Sequence, residues 1–106
     1  MTAVVVDGAF AEANPAAMRV ILNSVEASIK WVLSNPVEAG ALVEKHDLGL
    51  RAPVVTASVP RTNYVFIPAE EGRAALEALF RVFLEFAPVS IGGVLPGERF
   101  YWSYGD

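Results

Sequence analysis

Hydrophobic residues recur at spacings of three and four along two long stretches of the chain, which is the period of an amphipathic helix. The first predicted helix, residues 15–34, begins at Asn14-Pro15, because Asn is a good N-cap and Pro suits the first helical position. The second predicted helix, residues 68–86, is apolar almost all round, so it should face more than one neighbour. Its charged residues alternate in sign at four-residue spacing, which predicts a solvated ladder of ion pairs made by Arg73, Glu77, Arg81 and Glu85.

Two shorter helices are predicted between the long ones. Asn35-Pro36 ends the first long helix and starts another at residues 36–46, with Glu38 placed as in a capping box. Residues 52–59 are ambiguous, because the flanking prolines permit a short helix whereas Val54, Val55 and Thr56 would suit a strand. We favour the helix.

The N-terminal residues 3–6 are a β-branched run that ends at the turn pair Asp7-Gly8, which predicts one short buried strand. A single strand cannot satisfy its own backbone groups, and no convincing second strand follows it. The sequence therefore predicts an α/β fold that is mostly helical, in which residues 1–106 form a single incomplete lobe. Residues 88–106 are expected to be a loop and an aromatic tail that packs down.

Composition adds an excess of apolar residues to this picture. The hydrophobic set makes up 54% of the 106 residues, and the mean hydropathy is +0.41. Because small domains bury a small fraction of their surface, the excess indicates apolar surface intended for a partner. The net charge of −4 argues against nucleic acid as that partner. The sequence shows no signal peptide and no run long enough to span a membrane.

The residue types needed for catalysis or metal binding are scarce. His46 is the single histidine, and at a helix C-terminus it is better explained as a favourable cation than as a base or a ligand. There is no cysteine and no framed acidic pair, so we predict no metal site and no cofactor. No nucleophile elbow is present, and Gly92-Gly93 lacks the Gly-Lys-Ser/Thr of a phosphate loop. The sequence thus predicts that the chain is not an enzyme.

Arg61 and Asn63 are the candidate ligand-binding residues. They flank a segment that crosses between helices among apolar neighbours, where they would reach a carboxylate, sulfonate or phosphate group. In the alternative interpretation, Arg61 holds its own loop by bonding backbone carbonyls. The aromatic residues are expected to be core rather than a stacking site, namely Phe80, Phe83, Phe86, Tyr101 and Trp102.

Three stretches in order resemble the C-terminal part of a family of solute-binding proteins. They are Val4-Val5-Val6 through Asn14-Pro15, Trp31 through Ala39 followed by Glu44-Lys45, and Pro60-Arg61-Thr62-Asn63 followed by Pro88 through Pro96 and Phe100-Tyr101. The family is the nitrate/sulfonate/taurine and thiamine-precursor group, which has the type II periplasmic-binding-protein fold and serves ABC uptake transporters.

The resemblance implies a full-length protein with two α/β lobes that close on a small ligand. It implies an anionic or heterocyclic organic solute, an N-terminal part that completes the fold, an ABC permease as partner and a periplasmic location. Two alternatives stay open. In one, the chain is a structural module that self-associates as a homo-oligomer through its apolar helix face. In the other, it is part of a thiamine-precursor biosynthesis enzyme, which the single histidine and the absence of cysteine disfavour.

Overall fold

The computed structural model describes residues 2–104 and is all-α. It is 69% helical, with no strand in the described residues. The helices are listed here in chain order: α1 Gly8–Ala13, α2 Pro15–Ser34, α3 Pro36–Lys45, α4 Ala52–Ser58 and α5 Ala69–Phe86. Three single 3₁₀ turns, Val59–Arg61, Pro88–Ile91 and Glu98–Phe100, complete the regular structure.

The predicted α/β class is therefore wrong, and the error lies at residues 3–6. These residues have no regular structure, and no other described segment pairs with them. Their side chains are exposed, with Val5 at 77%. A β-branched run becomes a strand only where a neighbouring strand supplies ladder hydrogen bonds, and residues 2–104 contain no such neighbour.

Helix α1 was not predicted, because Asp7-Gly8 was interpreted as a turn. Asp7 instead caps the helix: its backbone is extended, and its Oδ1 accepts a hydrogen bond of 3.0 Å from the Phe10 N–H. The Ala11 N–H also donates to the Asp7 carbonyl at 3.0 Å. Asp7-Gly8 is thus the start of a helix rather than the end of a strand, because an Asp is a good N-cap.

The asparagines of both Asn-Pro pairs close the helix that precedes them. The Asn14 Nδ2 donates to the Phe10 carbonyl at 3.0 Å, and the Asn35 Nδ2 donates to the Trp31 carbonyl at 2.9 Å. Asn35 makes no side-chain cap to α3, so the predicted capping box with Glu38 is not formed. The helix boundary is still where the sequence places it, because each asparagine satisfies a terminal carbonyl and the proline begins the next helix.

The chain divides into two compact units, residues 18–66 and residues 2–17 with 67–104. In residues 18–66, α3 and α4 pack closely at Gly40, where a Cβ atom would lie 2.6 Å from the Ala52 carbonyl oxygen. The Thr56 hydroxyl donates to the Ala52 carbonyl at 2.9 Å. The N-terminus of α4 is held by Glu44, whose Oε2 accepts from the Ala52 N–H at 2.7 Å. This helix pair is the best-defined packing in that unit.

Very little apolar surface is buried within the chain. The buried hydrophobic residues are Ala11, Met18, Ala39, Val55, Val59 and Tyr101. In α2 only Met18 of the predicted apolar stripe is buried, and Trp31 and Leu33 are exposed. No residue of α5 is buried. Both long helices are therefore amphipathic helices whose apolar faces are incompletely covered.

Candidate functional site

Arg61 and Asn63, the predicted ligand-binding residues, lie next to each other on an exposed segment. Arg61 is the last residue of the Val59–Arg61 turn, and Asn63 follows in irregular chain. Among the described residues, neither side chain makes a hydrogen bond or an ion pair. The structure thus shows no sign that Arg61 holds its loop through backbone carbonyls, and its role as a ligand contact stays a prediction.

An apolar groove of about 730 Å³ lies within residues 18–66. One side is α2, which contributes residues from Val20 to Val32, and the other side is formed by α3, α4 and Tyr64. The lining residues that carry a polar group are Ser24, Ser28, Trp31, Tyr64 and His46, the C-cap residue of α3. Arg61 and Asn63 do not line it. No acidic, lysine or arginine side chain is present in this lining, so the groove is suited to apolar side chains rather than to an ionic ligand.

A second, polar cleft of about 400 Å³ lies in the other unit, between the N-terminal half of α5 and the aromatic tail. It is lined by Glu70, Arg73, Glu98, Tyr101 and Ser103. Sequence reasoning missed this cleft. Four-residue spacing placed Arg73 on α5, but no pattern in the sequence showed that the tail returns to that face.

Arg73 is the central residue of the cleft. Its Nε donates to the Glu77 Oε1 at 2.9 Å, its Nη1 lies 4.0 Å from the Glu98 Oε1, and its guanidinium carbon lies 4.8 Å from the centre of the Tyr101 ring. The hydrogen bond to Glu77 raises the pKa of Arg73, so the guanidinium stays charged. Arg73 and Glu77 are only partly exposed. The four-residue spacing thus correctly predicts the Arg73–Glu77 ion pair but not its full solvation, because the tail lies over it. Arg81 and Glu85 make no ion pair among the described residues, so the rest of the predicted ladder is not formed.

Tyr101 is 8% exposed, and its hydroxyl has no hydrogen-bond partner among the described residues. Burial, with the nearby Glu77 carboxylate, raises the pKa of Tyr101, while Arg73 acts in the opposite direction. The hydroxyl is therefore protonated near neutral pH and is able both to donate and to accept. A buried hydroxyl without a partner costs stability, so this group calls for an explanation.

The aromatic tail packs on α5, as expected, but part of the predicted aromatic core is exposed. The Phe80 and Phe100 rings meet edge to face at 6.0 Å, and Phe100 meets Tyr101 in the same way at 5.2 Å. The prediction fails at the C-terminal end of α5, where Phe86 is 77% exposed and Phe83 is also exposed. Their side chains lie beyond the part of the helix that the tail covers.

In residues 2–104, no three histidine, aspartate or glutamate side chains stand close enough together to hold a metal ion. None of the helices in that range is both long enough and apolar enough to cross a bilayer. Among known proteins we find no matching family model, no matching curated protein and no matching solved structure.

Proposed function

We propose that this chain is the helical C-terminal part of the solute-binding component of an ABC uptake transporter. Its helices would cover apolar surface of an N-terminal part, and the completed protein would bind a small anionic or heterocyclic solute and deliver it to an ABC permease outside the cytoplasm. The motif order from Asn14-Pro15 to Phe100-Tyr101 supports the family, and the surface of the helices supports the role as a covering layer.

The observation that carries the proposal is apolar surface that the chain does not cover. A folded monomer of 11.4 kDa exposes about 5,800 Å², and two separate bodies of half that mass would expose about 7,000 Å² together. This chain exposes 7893 Å². Even if each unit is treated as a separate body, the solvent-accessible surface of the chain is thus about 900 Å² larger than expected. An area of this size is typical of one side of a stable interface.

Part of the exposed apolar surface lies on the two long helices. On α5, Val82, Phe83 and Phe86 are exposed, and Val89 beyond the helix is 92% exposed. On α2, Val20, Ile21 and Trp31 are exposed beside the apolar groove. Helices of this kind are typical of layers that pack on another element, because an amphipathic helix exposes only its polar face once its apolar face is packed.

Arg61 and Asn63 fit this proposal as ligand contacts because both side chains are exposed and without partners among the described residues. A guanidinium and an amide together offer several N–H donors to an anionic group. The same unsatisfied apolar surface would make the isolated chain self-associate. A homo-oligomer is therefore the expected state of the chain without its partner.

Site-specific photo-crosslinking in the host cell tests the proposal. A photoreactive amino acid at Val82 or Phe86 is expected to crosslink to a strand-rich part of a solute-binding protein, because these positions lie on the uncovered side of α5. The matched control is the same amino acid at Arg81, an exposed position about 100° or more around the same helix from both, where we expect no crosslink. Mass spectrometry identifies the captured protein. Capture of only a protein unrelated to transport at Val82 and Phe86 would contradict the proposal.

A further inference from the structure

We propose that the apolar groove in residues 18–66 is a homodimer interface, in which α2 of a second copy of this chain lies antiparallel to α2 of the first. The groove and the helix that fills it belong to one unit of the chain. Helix α5, where the transporter proposal is tested, takes no part in this contact. Four features of the groove support a second copy as its occupant: its shape, the order of side chains along α2, its charge and its exposed area.

The shape of the groove suits a helix better than a small molecule. Its α2 side runs from Val20 to Val32, a length of about 18 Å, or roughly three helical turns. At the two sides, Val20 on α2 is 66% exposed and Leu42 on α3 is 42% exposed. A small molecule between the sides would leave such side chains in water, whereas an apolar helix that lies along the groove would cover both.

The side chains that α2 contributes to the groove are ordered symmetrically about Glu26. Six of the eight form pairs at equal distances from it along the chain, namely Ser24 with Ser28, Ile21 with Trp31, and Val20 with Val32. In an antiparallel helix pair with a two-fold axis at this point, each serine would face a serine of the second copy. Each large apolar side chain would likewise face a large apolar one. A two-fold interface needs a self-complementary surface, and this face of α2 has that order.

The charge of the groove also allows two copies to meet. Each copy carries a net charge of −4, yet no Asp, Glu, Lys or Arg among the described residues lines the groove. Glu26 and Lys30, near the middle of α2, form an ion pair of 3.1 Å with each other. Helix periodicity places both about 120° or more around α2 from Ser24 and Ser28. Like charges are therefore kept away from the contact between the two helices.

The uncovered area is of the size that a dimer needs. Each partner of a stable complex buries about 800 Å², and this chain exposes about 900 Å² more than expected for its mass. The exposed side chains of Val20, Ile21, Trp31 and Leu42 all line the groove. Packing of two grooves against each other would therefore cover these side chains in both copies at once.

Disulfide trapping tests the antiparallel pairing, because the chain has no cysteine of its own. Ser24→Cys and Ser28→Cys are made as separate chains, one of them isotopically labelled, and are mixed and oxidised at micromolar concentration. Position 24 of one copy should face position 28 of the other, so we expect mostly mixed-label dimers and much less dimer from either variant alone. Intact-mass spectrometry distinguishes the products. Efficient trapping of each variant alone with few mixed dimers, or no disulfide dimer at all, would overturn the proposal.

A second test removes the contribution of α5 by using the double variant Val82→Glu, Phe86→Glu. Sedimentation equilibrium of that chain should show monomer and dimer in exchange. Adding Ser24→Glu should raise the dimer Kd at least about tenfold, because a carboxylate would be buried in an apolar groove. Asn23→Glu adds the same charge at an exposed position outside the lining and should leave the Kd unchanged. A folded double variant that stays monomeric, or equal effects of Ser24→Glu and Asn23→Glu, would refute the α2 dimer without touching the interface at α5.

Discussion

Gly40→Ala is expected to lower the free energy of unfolding by about 2 kcal/mol, because the added methyl group has no space between α3 and α4. Its Cβ would lie 2.6 Å from the Ala52 carbonyl oxygen and 2.7 Å from the Thr56 hydroxyl. The first of these atoms belongs to the backbone, so α4 must move. That movement would strain the hydrogen bonds that join α4 to α3, which run from the Ala52 N–H to the Glu44 Oε2 at 2.7 Å and from the Thr56 hydroxyl to the Pro36 carbonyl at 3.4 Å. Urea unfolding followed by circular dichroism at fixed protein concentration measures the change.

Gly72→Ala is the matched control, since Gly72 also lies inside a helix. The closest atom to its added Cβ would be the Ile67 Cγ2 at 3.4 Å, an ordinary contact. Alanine is the better helix former, so this variant should gain about 0.5–1 kcal/mol. If Gly40→Ala were as stable as Gly72→Ala, the close packing of α3 on α4 would be wrong.

Met18→Ala should cost about 3 kcal/mol of unfolding free energy, the largest loss expected from a single truncation in this chain. Met18 is 3% exposed and is the one buried residue of α2. Truncation removes most of its buried side chain and leaves a cavity, and a chain with so few buried residues has little other core to compensate.

The comparison for Met18→Ala is Leu50→Ala, which truncates an apolar side chain of similar size. Leu50 is exposed, so its truncation should change the unfolding free energy by less than about 0.5 kcal/mol. The same urea experiment compares the two variants. Equal losses in both would mean that burial within the chain does not determine its stability.

Helices α2 to α5 were predictable from the sequence to within a residue or two, because their signals are local, whereas α1 was missed. Apolar spacing identified α2 and α5, and Asn14-Pro15 and Asn35-Pro36 placed the boundaries around α2. The roles of these asparagines were not predictable, since the Oδ1 of an asparagine at this position is able to cap the next helix and its Nδ2 is able to close the previous one. In the structure, the Nδ2 of Asn14 and that of Asn35 each donate to a preceding carbonyl.

The strand and the polar cleft depend on contacts between distant residues, and sequence periodicity carries no information about those. The valines at residues 4–6 have the composition of a buried strand, but without a described neighbour they have no regular structure and are exposed. In the same way, Arg73 and Glu77 have the spacing of a surface ladder, yet the returning Tyr101 partly covers them. No returning segment covers Arg61 and Asn63, whose side chains are exposed. Their role as ligand contacts stays a prediction.

The central claim is that the uncovered apolar surface of these helices is an interface. Static light scattering of the isolated chain over a hundredfold range of micromolar concentrations tests it most directly. We predict a mass that rises with concentration above the 11.4 kDa of one chain, and a clearly lower mass for the double variant Val82→Glu, Phe86→Glu at every concentration. A constant mass of 11.4 kDa for the folded chain, unchanged in the double variant, would contradict the claim.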